Sequence, residues 1–189
     1  MHNSTKLPLS HALASMPDKA NSLAEAMRWQ LTLPAFSHHY LTEASLWGSG
    51  EEQLTVVDVG GGVGHASQAL LDHNPHVKCV IQDYPDVVSQ VQQSLPEQYK
   101  SRTTFQAHDF FQEQPAKDAA VYLLRMALIP ALKLGAKNVR ERTAQGWSAL
   151  LKGVDERFQL TAIHQPAQST LAVVEVTWSA RIYCCAQPP

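Results

Sequence analysis

The sequence predicts an α/β fold of the doubly wound, Rossmann-like kind: a parallel sheet with helices on both faces, ending in a C-terminal antiparallel hairpin and lacking one strand. Three observations predict it. Apolar, β-branched runs at 54–59, 77–82, 103–107 and 119–124 alternate with helix-compatible segments, the pattern of strands buried on both faces. The first run continues as Val56-Val57-Asp58-Val59-Gly60-Gly61-Gly62-Val63-Gly64-His65, a strand entering a glycine turn and then a helix N-terminus. That arrangement makes a nucleotide-type anion and ribose site. Beyond Leu124 the alternation fails, and two strand-like runs, 158–164 and 170–178, are separated only by Gln165-Pro166-Ala167-Gln168-Ser169, the spacing of a hairpin.

With 189 residues, 44% of them hydrophobic, the chain has enough material for one real core. Residues 1–18 read as a loose segment and 19–48 as a helical segment. Residues 53–180 read as the ligand-binding domain and 181–189 as a tail. Leu23, Met27 and Leu31 recur at helical spacing and predict an amphipathic helix over 19–33, which Pro34 ends. A second, more apolar helix is expected over 35–47. Within the domain, helices are expected at 65–73, at 85–94 (opened by Pro85, with Val87, Val88 and Val91 on one face), at 126–135 and at 143–152.

The formal net charge of −2 and a pI of about 6.5 give no reason to expect a polyanion partner. The basic stretch from Lys133 to Arg142 reads as a solvated face. No apolar run reaches the ~18 residues a membrane span needs, and Met1–Ser15 has no signal-peptide pattern, so a soluble, cytosolic chain is expected. Cys79, Cys184 and Cys185 form no Cys-x-x-Cys, and the nine histidines show no zinc-type spacing. The adjacent His38 and His39 would point ~100° apart on a helix. No metal is expected.

Gly62-Val63-Gly64-His65-Ala66-Ser67 is only a near match to the dehydrogenase fingerprint, and such a match alone is weak. Three acids carry more information. Asp58 makes Asp-x-Gly-x-Gly at the end of the first strand, and Asp83 ends the second, where a carboxylate can accept from both ribose hydroxyls. Asp109 follows the third in Asp109-Phe110-Phe111, which sets an acceptor and an aromatic face beside an adenine. Singly, Asp58 or Asp83 could be a helix cap or an exposed strand end, and Phe110 could be core. Together, at the carboxyl ends of three successive strands, they fit one ligand crevice. An adenosine ligand without a diphosphate suits this set better than NAD, and an NAD-dependent dehydrogenase is the lesser alternative.

Four segments resemble plant and fungal S-adenosylmethionine-dependent O-methyltransferases of the caffeate, flavonoid and sterigmatocystin type. They are Asp58–Gly64, then Gln82-Asp83-Tyr84-Pro85-Asp86-Val87-Val88, then His108-Asp109-Phe110-Phe111, then Val121-Tyr122-Leu123-Leu124-Arg125. Glu141-Arg142-Thr143 with Trp147, Ile163-His164-Gln165-Pro166 and Val174-Glu175-Val176 resemble the C-terminal end of the same family. The resemblance covers 20–178 in family order and implies a class I methyltransferase fold with S-adenosylmethionine as cofactor. It implies a cofactor set of Asp58, Gly60, Gly61, Gly62, Asp83, Asp109, Phe110 and Arg125. In that set Gly60 and Gly61 shape the turn at the methionine moiety, Asp83 meets the ribose, Asp109 and Phe110 meet the adenine, and Arg125 lines the pocket. His164 also matches a family position and reads as structural.

The chain departs from the family after Arg125. Members carry a histidine there, within His-Asp-Trp, that takes the proton from the acceptor hydroxyl. At that position stands Ile129, which cannot accept a proton. Ile129–Ala136 instead resembles the later segment before the fifth strand, and Lys137-Asn138-Val139-Arg140 then leads straight to Glu141, so that strand is missing. The family's N-terminal winged-helix dimerisation region is also largely absent. The C-terminal strand 170–178 is expected to move in beside 119–124, giving the order 3-2-1-4-7-6. The resemblance thus implies O-methyl transfer to a small-molecule hydroxyl, aromatic or polyketide, in secondary metabolism, with no assignable catalytic residue. His38, His39 and His108 are the substitute bases to consider, each read more readily as exposed or structural. The alternative is a cofactor-binding pseudo-methyltransferase or partner subunit, compatible with a homo- or heterodimer.

Overall fold

The structure, a computed structural model, describes residues 16, 18–19, 22, 25–26, 29–30, 32–43, 47, 52–125, 143–169 and 171–178. They fall into two compact units. The first holds a four-stranded parallel sheet of order β3-β2-β1-β4, built from β1 (Leu54–Val59), β2 (Val77–Asp83), β3 (Thr103–Ala107) and β4 (Val121–Leu123). Around it lie α1 (His39–Thr42), α2 (His65–His73), α3 (Pro85–Val91) and α4 (Glu97–Lys100). The second unit holds α5 (Ala144–Val154), packed on β5 (Phe158–His164), and β6 (Val173–Trp178), antiparallel to β5.

The central strands form because their β-branched residues fill both faces of the sheet. Val56, Val57, Val77 and Ile81 have no exposed surface, and Leu70 and Leu71 of α2 close one side. Leu41 and Trp47 extend this core toward the N-terminus. The indole N–H of Trp47 donates to the Leu41 carbonyl at 2.7 Å, and Nε2 of His76 meets the Trp47 carbonyl at 2.7 Å. Arg102 closes the opposite end of α2. Its guanidinium donates to the carbonyls of Leu71 at 2.8 Å and Asn74 at 3.0 Å, where a cation also meets the negative end of the helix. Arg102→Ala is expected to lower stability by about 2–3 kcal/mol, because these carbonyls lose a charged donor. Urea denaturation checks this, and an unchanged midpoint would contradict it.

Several expectations shift. The 35–47 helix is broken into a 3-10 turn (Pro34–Phe36) and α1, because Ser37 Oγ accepts the His39 N–H at 3.2 Å and interrupts the helical pattern. Described residues between 18 and 30 are helical, but Leu23, Met27 and Leu31 lie outside the described set. Helix α3 stops at Val91, where Ser94 turns back onto the Val91 carbonyl. The short α4, not anticipated, starts directly after Pro96 with Glu97 in its first turn and Lys100 in its last. The expected 126–135 helix, Ile129 and the basic stretch through Arg142 lie outside the described residues.

The order 3-2-1-4-7-6 is overturned. β5 and β6 form their own two-stranded sheet, in which Phe158 faces Trp178 and His164 faces Val173. The hairpin pairing contained in that order is kept, and what the described residues lack is the pairing of β6 with β4. Among the described residues, β4 pairs with β1 alone, over only three residues, and Tyr122 is exposed. A short edge of this kind offers little template for another strand.

Candidate cofactor site

β1 lies between β2 and β4, so the strand order reverses beside it, and the crevice beyond the carboxyl ends of the strands is the switch point of the sheet. Each strand delivers a predicted residue there: the glycine turn after β1, Asp83 ending β2, Asp109 and Phe110 after β3, and Arg125 after β4.

The turn is stitched to β2. The N–H groups of Gly60 and Gly61 donate to the Gln82 carbonyl at 2.8 and 3.1 Å, and that of Gly62 to Asp83 Oδ2 at 2.9 Å. A Cβ on Gly61 would lie 2.7 Å from Cγ of Asp58, so the Asp-x-x-Gly spacing is steric as well as chemical. A Cβ on Gly62 would meet nothing within 4 Å, which leaves room above the turn for a ligand.

Asp58 is 2% exposed, and its Oδ2 accepts from Ser67 Oγ at 2.7 Å. Of the three acids it braces the turn from beneath rather than standing at the mouth. Burial raises its pKa to about 6, against the Ser67 hydrogen bond and the charge of Arg125. The native state therefore holds a proton that the unfolded chain has lost between about pH 4 and 6. This contribution to stability is complete below the unfolded pKa and disappears as pH rises through 6, a change of about 3 kcal/mol. Asp58→Asn is expected to erase that part of the pH profile and to be more stable than the parent above pH 6. Parallel stability–pH curves for the two proteins would contradict this.

Asp83 is half-buried, and burial raises its pKa although Tyr84 N–H donates to Oδ1 at 2.8 Å and Gly62 N–H to Oδ2. A carboxylate has about four acceptor sites, so two backbone donors leave it capacity for two hydroxyls. The His108 N–H donates to the Asp83 carbonyl at 2.9 Å, which brings the exit of β3 against the end of β2. Asp109 Oδ1 there accepts from Phe111 N–H at 3.0 Å and lies 3.4 Å from the Tyr84 hydroxyl. The Phe110 and Phe111 rings are tilted with centroids 4.5 Å apart.

Arg125 is half-buried, with Nη1 3.0 Å from Nε2 of His38. Burial lowers the His38 pKa to about 4, helped by the charge of Arg125. His39 pairs with Glu43 at 3.2 Å on the surface. His108 Nε2 is buried with no hydrogen-bond partner among the described residues, and His164, in the hairpin, sits 3.6 Å from Glu175. Sequence reasoning missed the Gln82–Gln106–Gln114 amide cluster, in which Gln82 Nε2 donates to both partners at 2.7 Å. The signal was a glutamine at the end of an apolar strand. No cluster among the described residues could hold a metal, and no helix among them is long and apolar enough to cross a membrane.

A family model for the O-methyltransferase domain matches residues 50–129, the stretch that carries every strand end described above except those of the hairpin. The O-methyltransferase kk1A of Curvularia clavata is 31% identical over 218 aligned positions, covering 90% of this chain and 51% of that protein. The chain belongs to the S-adenosylmethionine-dependent O-methyltransferase family. It spans about half the length of the curated O-methyltransferases it matches. The alignment with kk1A is longer than the 189-residue chain, so the relative has interior residues with no counterpart here. Solved structures share the class I methyltransferase fold. The O-methyltransferase NcsB1 from neocarzinostatin biosynthesis, in complex with S-adenosylmethionine and 2-hydroxy-5-methyl naphthoic acid, superposes with a TM-score of 0.62 at 18% identity, over 92% of this chain and 62% of that one. A LepI variant in complex with SAH and a substrate analogue gives 0.61 at 22% identity, over 89% and 54%.

Proposed function

We propose that this chain binds S-adenosylmethionine in the β1–β4 crevice and belongs to the formation of a small secondary metabolite, its acceptor an aromatic or polyketide hydroxyl. The observation that carries the reading is Asp83: the Gly62 and Tyr84 N–H groups fix its carboxylate at the strand end, with acceptor capacity left for a diol. Asp109 beside Phe110 supplies an acceptor and a ring face for adenine, and the open space over Gly62 supplies room for the methionine end. When bound, the cofactor supplies an electrophilic methyl group on a sulfonium. The chain's own residues hold and orient, and orientation alone supports much of the rate of such a transfer. Proton removal from the acceptor is the weak point, because Ile129 stands at the family's base position and His38 already faces a guanidinium.

A second reading is cofactor binding without transfer. The interior residues of kk1A that lack a counterpart here favour it, together with Ile129. Loss of a general base by itself costs about 10²–10⁴ in rate. Incubation with S-adenosylmethionine labelled in the methyl group and a panel of phenols and polyketide hydroxyls separates the readings. Labelled product that Asp83→Ala abolishes supports transfer. Binding of S-adenosylhomocysteine without product supports the second reading, and neither binding nor product overturns both.

A further inference from the structure

The sequence leaves His38 as an exposed or structural residue or a substitute base, and its surroundings fit neither the exposed reading nor the base. Its Nε2 lies 3.0 Å from Arg125 Nη1. A guanidinium only donates, so Nε2 must be the acceptor and the ring proton sits on Nδ1. A nitrogen already accepting from arginine is not available to take a proton from a hydroxyl.

The backbone that carries His38 is tied into the core through α1. The His38 carbonyl accepts the Leu41 and Thr42 N–H groups at 2.9 and 3.0 Å, opening α1. Leu41 is buried in the core, its carbonyl accepts from the Trp47 indole, and the Trp47 carbonyl meets His76. On the other side, Arg125 leaves β4 beside β1, and its charge acts on Asp58 beneath the glycine turn. Arg125 stands two residues beyond the end of β4, so what its long side chain meets, rather than the strand, sets where the guanidinium lies.

We propose that His38 is a positioning residue for Arg125: it fixes the guanidinium at the mouth of the β1–β4 crevice and so ties α1 to the cofactor site. The role rests on the cofactor reading above. Arg125 meets the ligand, and His38 acts through it. Gln at position 38 keeps a neutral acceptor on a side chain of similar reach, whereas Ala keeps none.

Calorimetric titration of the full chain with S-adenosylhomocysteine tests this on His38→Ala, His38→Gln, Arg125→Ala and the double variant His38→Ala/Arg125→Ala. His38→Ala is expected to weaken binding about tenfold, near the low end of what one hydrogen bond to a charged group is worth because His38 acts through Arg125, and His38→Gln to restore it to within about threefold of the parent. In the Arg125→Ala background, removing His38 should change nothing further. Equal loss in the Ala and Gln variants with folding intact, or a full additional loss in the double variant, overturns the proposal. If His38→Ala does not fold, the Gln variant and the Arg125→Ala pair His38/His38→Gln decide it alone: His38→Gln must then bind like the parent and be silent in the Arg125→Ala background. Failure of the parent protein to bind at all strikes the cofactor reading instead.

Discussion

Asp83→Ala lowers the affinity for S-adenosylhomocysteine by about 100-fold. Two hydroxyl donors to a carboxylate are worth about 1.5–3 kcal/mol each, and water entering the vacated space recovers part of that. The same substitution takes away the acceptor for the Gly62 N–H, so the turn itself loosens where the ligand would lie. Asp83→Asn keeps one carbonyl acceptor and is expected to fall between the parent and the Ala variant. Calorimetry on the three proteins checks the order. An Ala variant within about threefold of the parent would mean that Asp83 touches no ligand hydroxyl.

Gly64→Ala carries the largest expected stability cost, about 3 kcal/mol. Gly64 caps α2 at φ 77°, in the left-handed region, and a Cβ there would run into Cδ1 of Ile81, a core residue with no exposed surface. Strain of about 1 kcal/mol adds to an overpacking cost of about 1–3 kcal/mol. Gly62→Ala at φ 55° carries the strain without the collision, since its Cβ meets open space, so it should cost only about 1 kcal/mol. Urea denaturation of both variants reads the difference, and equal costs would show that Ile81 yields freely. Position 62 is then the better place to probe ligand binding, because its variant remains folded.

The parts of the fold legible in the sequence are those set by local pattern. β1, α2, β3 and β5 have the bounds that periodicity predicts, because the strands are unbroken apolar or alternating runs and the helix follows a glycine turn. What was not legible depends on partners distant in the chain. Whether the second edge of β6 also pairs with β4 is such a case: among the described residues β6 pairs with β5 alone and β4 with β1 alone, and side-chain pattern does not distinguish the two outcomes. Arg102 shows nothing in its neighbourhood of the Leu71 and Asn74 carbonyls it closes. In the site, Asp83 and Asp109 were readable from their place at strand ends, and the His108–Asp83 backbone bond brings their segments together. Asp58 was readable as a motif residue, but its burial under Gly61 was not. The pairing of His38 gave no signal, since its partner Arg125 enters only through the end of β4.

The cofactor site is tested most directly by calorimetry of the unmodified chain with S-adenosylhomocysteine and, separately, with NAD. One-to-one binding of S-adenosylhomocysteine with a dissociation constant on the order of micromolar, and no heat from NAD at millimolar concentration, is the expected outcome. NAD binding as tightly as S-adenosylhomocysteine, or silence from both ligands at millimolar concentration, would contradict a site for the adenosyl and amino-acid parts of the cofactor formed by Asp83, Asp109 and the glycine turn.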